Sequence, residues 1–125
     1  LQGNYNWTQA INRTNTSEND QSEGNQLPYT PVDKFQSLIG LNRGFLNTYL
    51  NFHFTGSRYV GTDNIDVLSA YQLFDWGIKL GELKNSWFRG TIGFQVNNLF
   101  NTSYQVLRLR AMPGRNYQMN IQITL

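Results

Sequence analysis

The chain has 125 residues, no cysteine, a net charge of +2 at pH 7, and 14% charged residues, against about 25% in an ordinary soluble domain. A mean hydropathy of −0.49 and the lack of any apolar run near the roughly 18 residues of a membrane helix exclude helical insertion, but not a β-barrel, whose alternating strands average to mild polarity. Its basic residues are scattered, which argues against a nucleic-acid footprint.

Residues 1–10 set Leu1, Gly3, Tyr5 and Trp7 against Gln2, Asn4, Asn6 and Thr8, the period of a first strand. Residues 12–26 are rich in Asn, Thr, Ser, Asp and Glu and offer nothing to pack, so a long aqueous loop is expected. Pro28 and Pro31 bracket the entry to a second strand, 32–42, where a missing N–H is tolerated. There Phe35, Ile39 and Leu41 share one face, opposite Lys34, Gln36, Leu38 and Gly40. Asn42-Arg43-Gly44 leaves room only for a tight reversal.

The third strand is expected over 45–60, with Leu46, Leu50, and Phe52 or Phe54 alternating against Asn47, Tyr49, Asn51, His53 and Thr55. A strand of that length exceeds a bilayer core, so its end should project. Thr62-Asp63-Asn64 turns the chain into a fourth strand, 66–80. Leu68, Ala70, Phe74, Trp76, Ile78 and Leu80 are assigned outward, with Ser69, Tyr71, Asp75 and Lys79 inward and Gln72 interrupting the apolar face. After a short turn at 81–86, the fifth strand, 88–100, opposes Phe88, Ile92, Phe94, Val96 and Phe100 to Arg89, Thr91, Gly93, Gln95 and Asn97.

A longer connection, 101–114, leads to the sixth strand, 115–125. Tyr117, Met119, Ile121, Ile123 and Leu125 stand on one face, and Asn116, Gln118, Asn120, Gln122 and Thr124 on the other. Five large apolar positions against neutral amides and a hydroxyl, over the roughly 9 to 11 residues of a membrane strand, indicate lipid on one side and a wet lumen on the other. The connections alternate long and short, as the outer loops and inner turns of an outer-membrane barrel do. With the C-terminus on the periplasmic side, segments 14–26, 61–65 and 101–114 face outside and 42–44 and 81–86 face inside, and Tyr5, Trp7, Tyr59, Trp76, Trp87 and Tyr117 are candidates for the aromatic girdles. No leader precedes Leu1, so Leu1 is expected to be internal to a longer exported polypeptide.

Val96-Asn97-Asn98-Leu99-Phe100-Asn101 with Tyr104, then Met112-Pro113-Gly114-Arg115-Asn116-Tyr117 and the alternating end, resemble the C-terminal part of TonB-dependent outer-membrane receptors. Leu27-Pro28-Tyr29-Thr30-Pro31, Phe54-Thr55-Gly56-Ser57-Arg58-Tyr59 and Tyr71-Gln72-Leu73 agree, so the resemblance spans the chain. It implies an all-β, antiparallel, up-and-down transmembrane barrel segment: the last six strands of a 22-stranded barrel around an N-terminal plug. It further implies TonB-dependent uptake of a scarce nutrient such as a siderophore, haem or cobalamin at the bacterial outer membrane, with TonB engaged through an upstream plug outside this chain. The implied partners are lipid, the remaining strands and plug, the small-molecule ligand and the barrel-assembly machinery. That machinery would read Tyr117, Met119, Ile121, Ile123 and Leu125 as its address, although the family commonly ends in an aromatic residue where this chain has Leu125. Six strands cannot close alone, so both edges are expected to pair with further polypeptide.

Chemistry-bearing groups are sparse. His53 has no cysteine or second histidine to join it, and is expected to line the lumen rather than ligate a metal. Asp63 and Asp66 look like fragments of a calcium loop but lack its remaining ligands, so turn formation is the default reading. Gly90-Thr91-Ile92-Gly93 sits in a strand rather than opening a helix, which is no phosphate loop. No catalytic constellation, cofactor site or nucleic-acid surface is expected. Among loop residues, Tyr104, Arg108 and Arg110 combine aromatic and cationic character near the outer mouth, and would suit an anionic ligand such as a ferric siderophore. Tyr49 and Asn97 are the lumen-facing candidates, with packing against the plug as the more ordinary role for either. The rival reading is a secreted β-sandwich binding glycans, in which a second sheet would cover the apolar face.

Overall fold

Period-two alternation becomes sheet structure wherever consecutive runs are joined by connections that let them pair side by side. The computed structural model describes residues 1–14, 22–84 and 89–124. They form strands β1 (Gln2–Trp7), β2 (Asp33–Arg43), β3 (Leu46–Thr55), β4 (Arg58–Tyr59), β5 (Val67–Leu68), β6 (Tyr71–Lys84), β7 (Arg89–Asn97) and β8 (Asn116–Thr124). Six of these make one antiparallel sheet in the order β1-β2-β3-β6-β7-β8, and β4 pairs with β5. The main sheet is an up-and-down meander, the all-β fold expected.

The pairing register sorts every residue to a face. Tyr5 opposes Phe35, which opposes Phe54. Leu50 opposes Trp76, Trp76 opposes Val96, and Val96 opposes Tyr117. Ile78 meets Phe94 and Phe94 meets Met119, while Ile92 meets Ile121. The mainly apolar parity of each of the six strands thus falls on one side, with Phe52 and Phe54 both on it, while Leu38 and Leu73 stand on the other. The other side carries amides, with one row reading Asn42, Asn47, Lys79, Gly93 and Asn120 across β2, β3, β6, β7 and β8.

Nothing in the described chain covers the apolar face. Ile39 remains 54% exposed, Leu41 60% and Ile123 64%, and only Leu68 and Val96 are buried apolar residues among those described. A sandwich would require a second sheet here, and among the described residues the only other sheet is the two-residue pair β4–β5 at one end. Aromatic contacts run along the bare face: Phe35 to Phe52 at 5.8 Å between centroids, Phe52 to Phe74 at 4.7 Å and Phe74 to Phe100 at 5.1 Å. Trp76, Phe94 and Tyr117 continue the line. Tyr5, Trp7, Trp76 and Tyr117 lie on this face, whereas Tyr59 belongs to β4 outside the main sheet, and the phenylalanine row follows from the register. Among residues whose side chains are described, Asp33 and Arg43 are the only charges on this face, one at each end of β2.

Several strand limits differ from expectation for local reasons. The first strand stops at Trp7, and the third stops at Thr55 instead of projecting to Val60. At Gly56 the N–H donates to Asp33 O at 2.8 Å, and an added Cβ would lie 3.0 Å from that same oxygen. The chain leaves the sheet there and makes β4–β5, so Leu68 is buried among the connections rather than facing lipid, and β6 begins at Tyr71 rather than at 66. The fifth strand ends at Asn97, before Phe100. At the opposite end β2 turns into β3 through Gly44, whose φ of 61° suits a residue without Cβ. Expectations for Trp87, Phe88, Leu125, residues 15–21 and the Arg89 side chain lie outside what the structure describes.

Candidate functional site

The polar face is a field of short-range amide contacts rather than a cluster of charge. Asn97 Nδ2 donates to Asn116 Oδ1 at 2.8 Å, and Gln95 Nε2 donates to Asn97 Oδ1. Asn51 Nδ2 meets His53 Nε2 at 2.5 Å, and that nitrogen lies 3.6 Å from Asp75 Oδ2. His53 is therefore held by an amide and a carboxylate of the sheet. Tyr49 lies over Gly77, its cross-strand partner, so closely that a Cβ there would enter the phenol ring. An aromatic ring replaces the side chain that glycine lacks. Gly93, Tyr49, Lys79, Gln95, Gln118 and Asn120 border an open trough of about 590 Å³.

Replacing Gly77 with alanine must drive the Tyr49 ring off its seat, and we expect a cost of about 1–3 kcal/mol, the range for overpacking a filled site. Gly93→Ala, whose added Cβ would sit 3.9 Å from Asn120 and the Ile78 backbone, should be accommodated. Equilibrium unfolding of the two variants in detergent checks the contrast.

The three long connections gather at one end of the sheet. Tyr29 N donates to Tyr59 O at 2.7 Å, and Asn25 Nδ2 to Thr62 O at 2.9 Å, tying the first connection to the second. The second and third are joined by Arg58 Nη2, which donates to Gln105 O at 2.7 Å, and by the ion pair of Arg108 with Asp66. Tyr71 and Tyr104 pack in a tilted pair at 4.7 Å between centroids, and the Arg58 guanidinium carbon lies 5.0 Å from the centroid of the Tyr71 ring. Burial pushes the Tyr104 phenol up from its ordinary pKa, and Tyr71 and Asp75 add to the shift. Tyr104 is thus a neutral hydroxyl at physiological pH. A cleft of about 290 Å³ opens beside it, lined by Ser69, Tyr71, Ser103, Tyr104 and Gln105 among others.

Tyr104 and Arg108 are brought to this end together, and Arg110 is exposed on the same connection. Arg108 is already engaged by Asp66. Tyr49 and Asn97 belong instead to the sheet face, Tyr49 level with Gly77 and Asn97 at the end of β7. The five candidates do not form one site. Asp63 Oδ1 accepts from Ile65 N at 3.2 Å while Asp66 holds Arg108, so both carboxylates serve local structure.

Asn98 and Arg58 carry more of the local geometry than the candidates do, and sequence reasoning gave neither a role. Asn98, 4% exposed and at φ 51°, accepts from Thr102 N at 2.7 Å and donates to Thr102 O at 2.8 Å, while its own N–H donates to Asp75 Oδ1 at 2.9 Å. Asn101, at φ 55°, accepts from Arg115 N at 2.9 Å. The Asn-Asn-Leu-Phe-Asn run is thereby the device that takes the chain off β7 and returns it to β8. Two asparagines three apart at a strand end were the available signal, since Asn tolerates the left-handed region and caps its own backbone.

No family model matches the chain, and no curated protein matches it in sequence. Among solved structures it is similar to BauA, the ferric preacinetobactin receptor from Acinetobacter baumannii, at 18% identity and a TM-score of 0.68, covering 81% of this chain and 16% of that one. It is also similar to the ferric citrate transporter FecA in its unliganded form, at 17% identity and a TM-score of 0.82, covering 98% of this chain and 20% of that one. The fold is that of a segment of such a protein, and the chain spans a fifth or less of either.

Proposed function

We propose that the chain is the C-terminal part, residues 1–125, of the β-barrel of a TonB-dependent outer-membrane receptor that takes up a scarce nutrient. The observation that carries this reading is one apolar face, continuous over six strands and uncovered among the described residues, backed by a mostly polar face with amides on five strands and Asp75 and Lys79 on β6. Lipid suits the first and a wetted, plugged lumen suits the second. The likeness to a ferric preacinetobactin receptor and a ferric citrate transporter supports an iron-chelate nutrient ahead of haem or cobalamin. Tyr104, Arg108 and Arg110 stand at the end where the long connections gather, and on this reading they face outside and meet the ligand.

The outer edges of β1 and β8 have no partner strand in the described chain. In a bilayer each unpaired N–H or C=O costs several kcal/mol. The remaining strands of the same receptor supply those partners on this reading, the plug fills the lumen and contacts TonB, and the assembly machinery reads β8.

A bimane fluorophore on single cysteines tests the two faces in the full-length protein, reconstituted with lipids brominated on the acyl chains. Probes at Met119→Cys and Ile121→Cys should be quenched several-fold more than probes at Gln118→Cys and Asn120→Cys. Equal quenching on both parities would defeat the membrane reading.

A further inference from the structure

We propose that Arg58 is a positioning residue, a buried latch that fixes the connection 98–115 against the connection 56–70 and so sets where Tyr104, Arg108 and Arg110 stand. That those three meet a ligand rests on the reading above; the latch itself does not.

Arg58 is 4% exposed, and among the described residues it makes no ion pair. Its Nε is buried without a hydrogen-bond partner. A buried guanidinium lacking a carboxylate is costly, and an apolar residue of similar volume would fill the space at lower cost. What arginine adds is direction. One fork nitrogen reaches Gln105 O, 47 residues away in sequence, at 2.7 Å. Its flat cation faces the ring of Tyr71, and Tyr71 holds Tyr104. The bond and the ring fix two connections relative to each other at two separate points.

The second tie between these connections, Asp66 to Arg108, is built differently. Its side chains are 57% and 50% exposed, so salt screens it, whereas the Arg58 contacts lie under cover. With both ties present, the amides of Leu109, Arg110 and Met112, which bond to Gln105 Oε1, Leu107 O and Tyr104 O, should exchange slowly and independently of salt.

Hydrogen exchange on the full-length receptor in detergent micelles tests this with no ligand present, so the result stands apart from whether Tyr104 and Arg108 bind one. In Arg58→Gln, amides of 103–112 should exchange at least about ten-fold faster, and raising salt to roughly 0.5 M, where the Debye length falls below about 5 Å, should speed them further. The wild type should show no such salt effect. Arg58→Lys, which keeps the charge and one donor without the fork, should recover only part of the protection. Unchanged exchange at 103–112 in Arg58→Gln would overturn the latch. So would equal acceleration in β2 and β3, which would mark a general loss of stability, or an Arg58→Lys variant as loose as Arg58→Gln.

Discussion

Replacing Asn98 with alanine should lower the unfolding free energy of the full-length protein by about 2–4 kcal/mol, combining the lost buried hydrogen bonds of its side chain with alanine's poorer tolerance of the left-handed region. Alanine leaves Thr102 N and Thr102 O, which the Asn98 side chain now satisfies at 2.7 and 2.8 Å, and Pro113 O, which it reaches at 3.5 Å, without their partner. Three variants separate the contributions. Asn98→Gly relieves the backbone at φ 51° but loses the same bonds, so it should be less damaging than alanine by about 1 kcal/mol. Asn98→Asp keeps the acceptor for Thr102 N, loses the donor, and places a charge near Asp75, whose Oδ1 takes the Asn98 N–H. Equilibrium urea unfolding in detergent would rank them Gly above Ala. An alanine variant as stable as the wild type would mean that the connection is held elsewhere.

The second large effect separates the two faces of β8. Ile121→Lys, one residue from the middle of the strand, should cost about 2–4 kcal/mol of folded-state stability in a bilayer, the range measured for a lysine on the lipid face near the midplane. Asn120→Lys puts the same side chain on the amide face beside Gly93, and should stay within about 0.5 kcal/mol, as surface changes usually do. Folding yields of both variants in liposomes decide it. A soluble sheet with a covered apolar side would also reject Ile121→Lys, but its wild type would not need the liposome.

The meander was legible in the sequence because each strand states its own period, and because turns such as Gly44 are read from one residue. Faces were legible too, since one parity of apolar residues propagates through every pairing. The strand limits were not. Whether the third strand runs through Gly56 depends on Asp33 O, which is remote in sequence. The bulge between Leu80 and Leu83 against β7 likewise follows from partner strands and not from β6 itself. At the loop end, Tyr104 and Arg108 could be picked out by residue type. Their engagement by Tyr71 and Asp66 could not, because those contacts cross between connections with no periodicity to align them. The burial of Arg58 has no local sequence signal, since Gln105 and Tyr71, which it contacts, lie outside its own segment.

The register row through Asn42 and Asn120 also sets how the sheet must lean. Asn120 is the middle of β8, yet its row meets β2 at Asn42, four residues beyond Leu38, the middle of β2. Four residues at about 3.3 Å each, gained over four steps between strands spaced about 4.8 Å apart, give a slope of roughly 35°, within the tilt of closed barrels. The aromatic line descends through the rows in the same sense, from Phe35 and Phe52 to Phe94 and Tyr117. It therefore lies nearly level when the strands lean. A nine-residue strand such as β8 is about 30 Å long, and at that tilt it rises roughly 25 Å, the height of the apolar band of a membrane barrel.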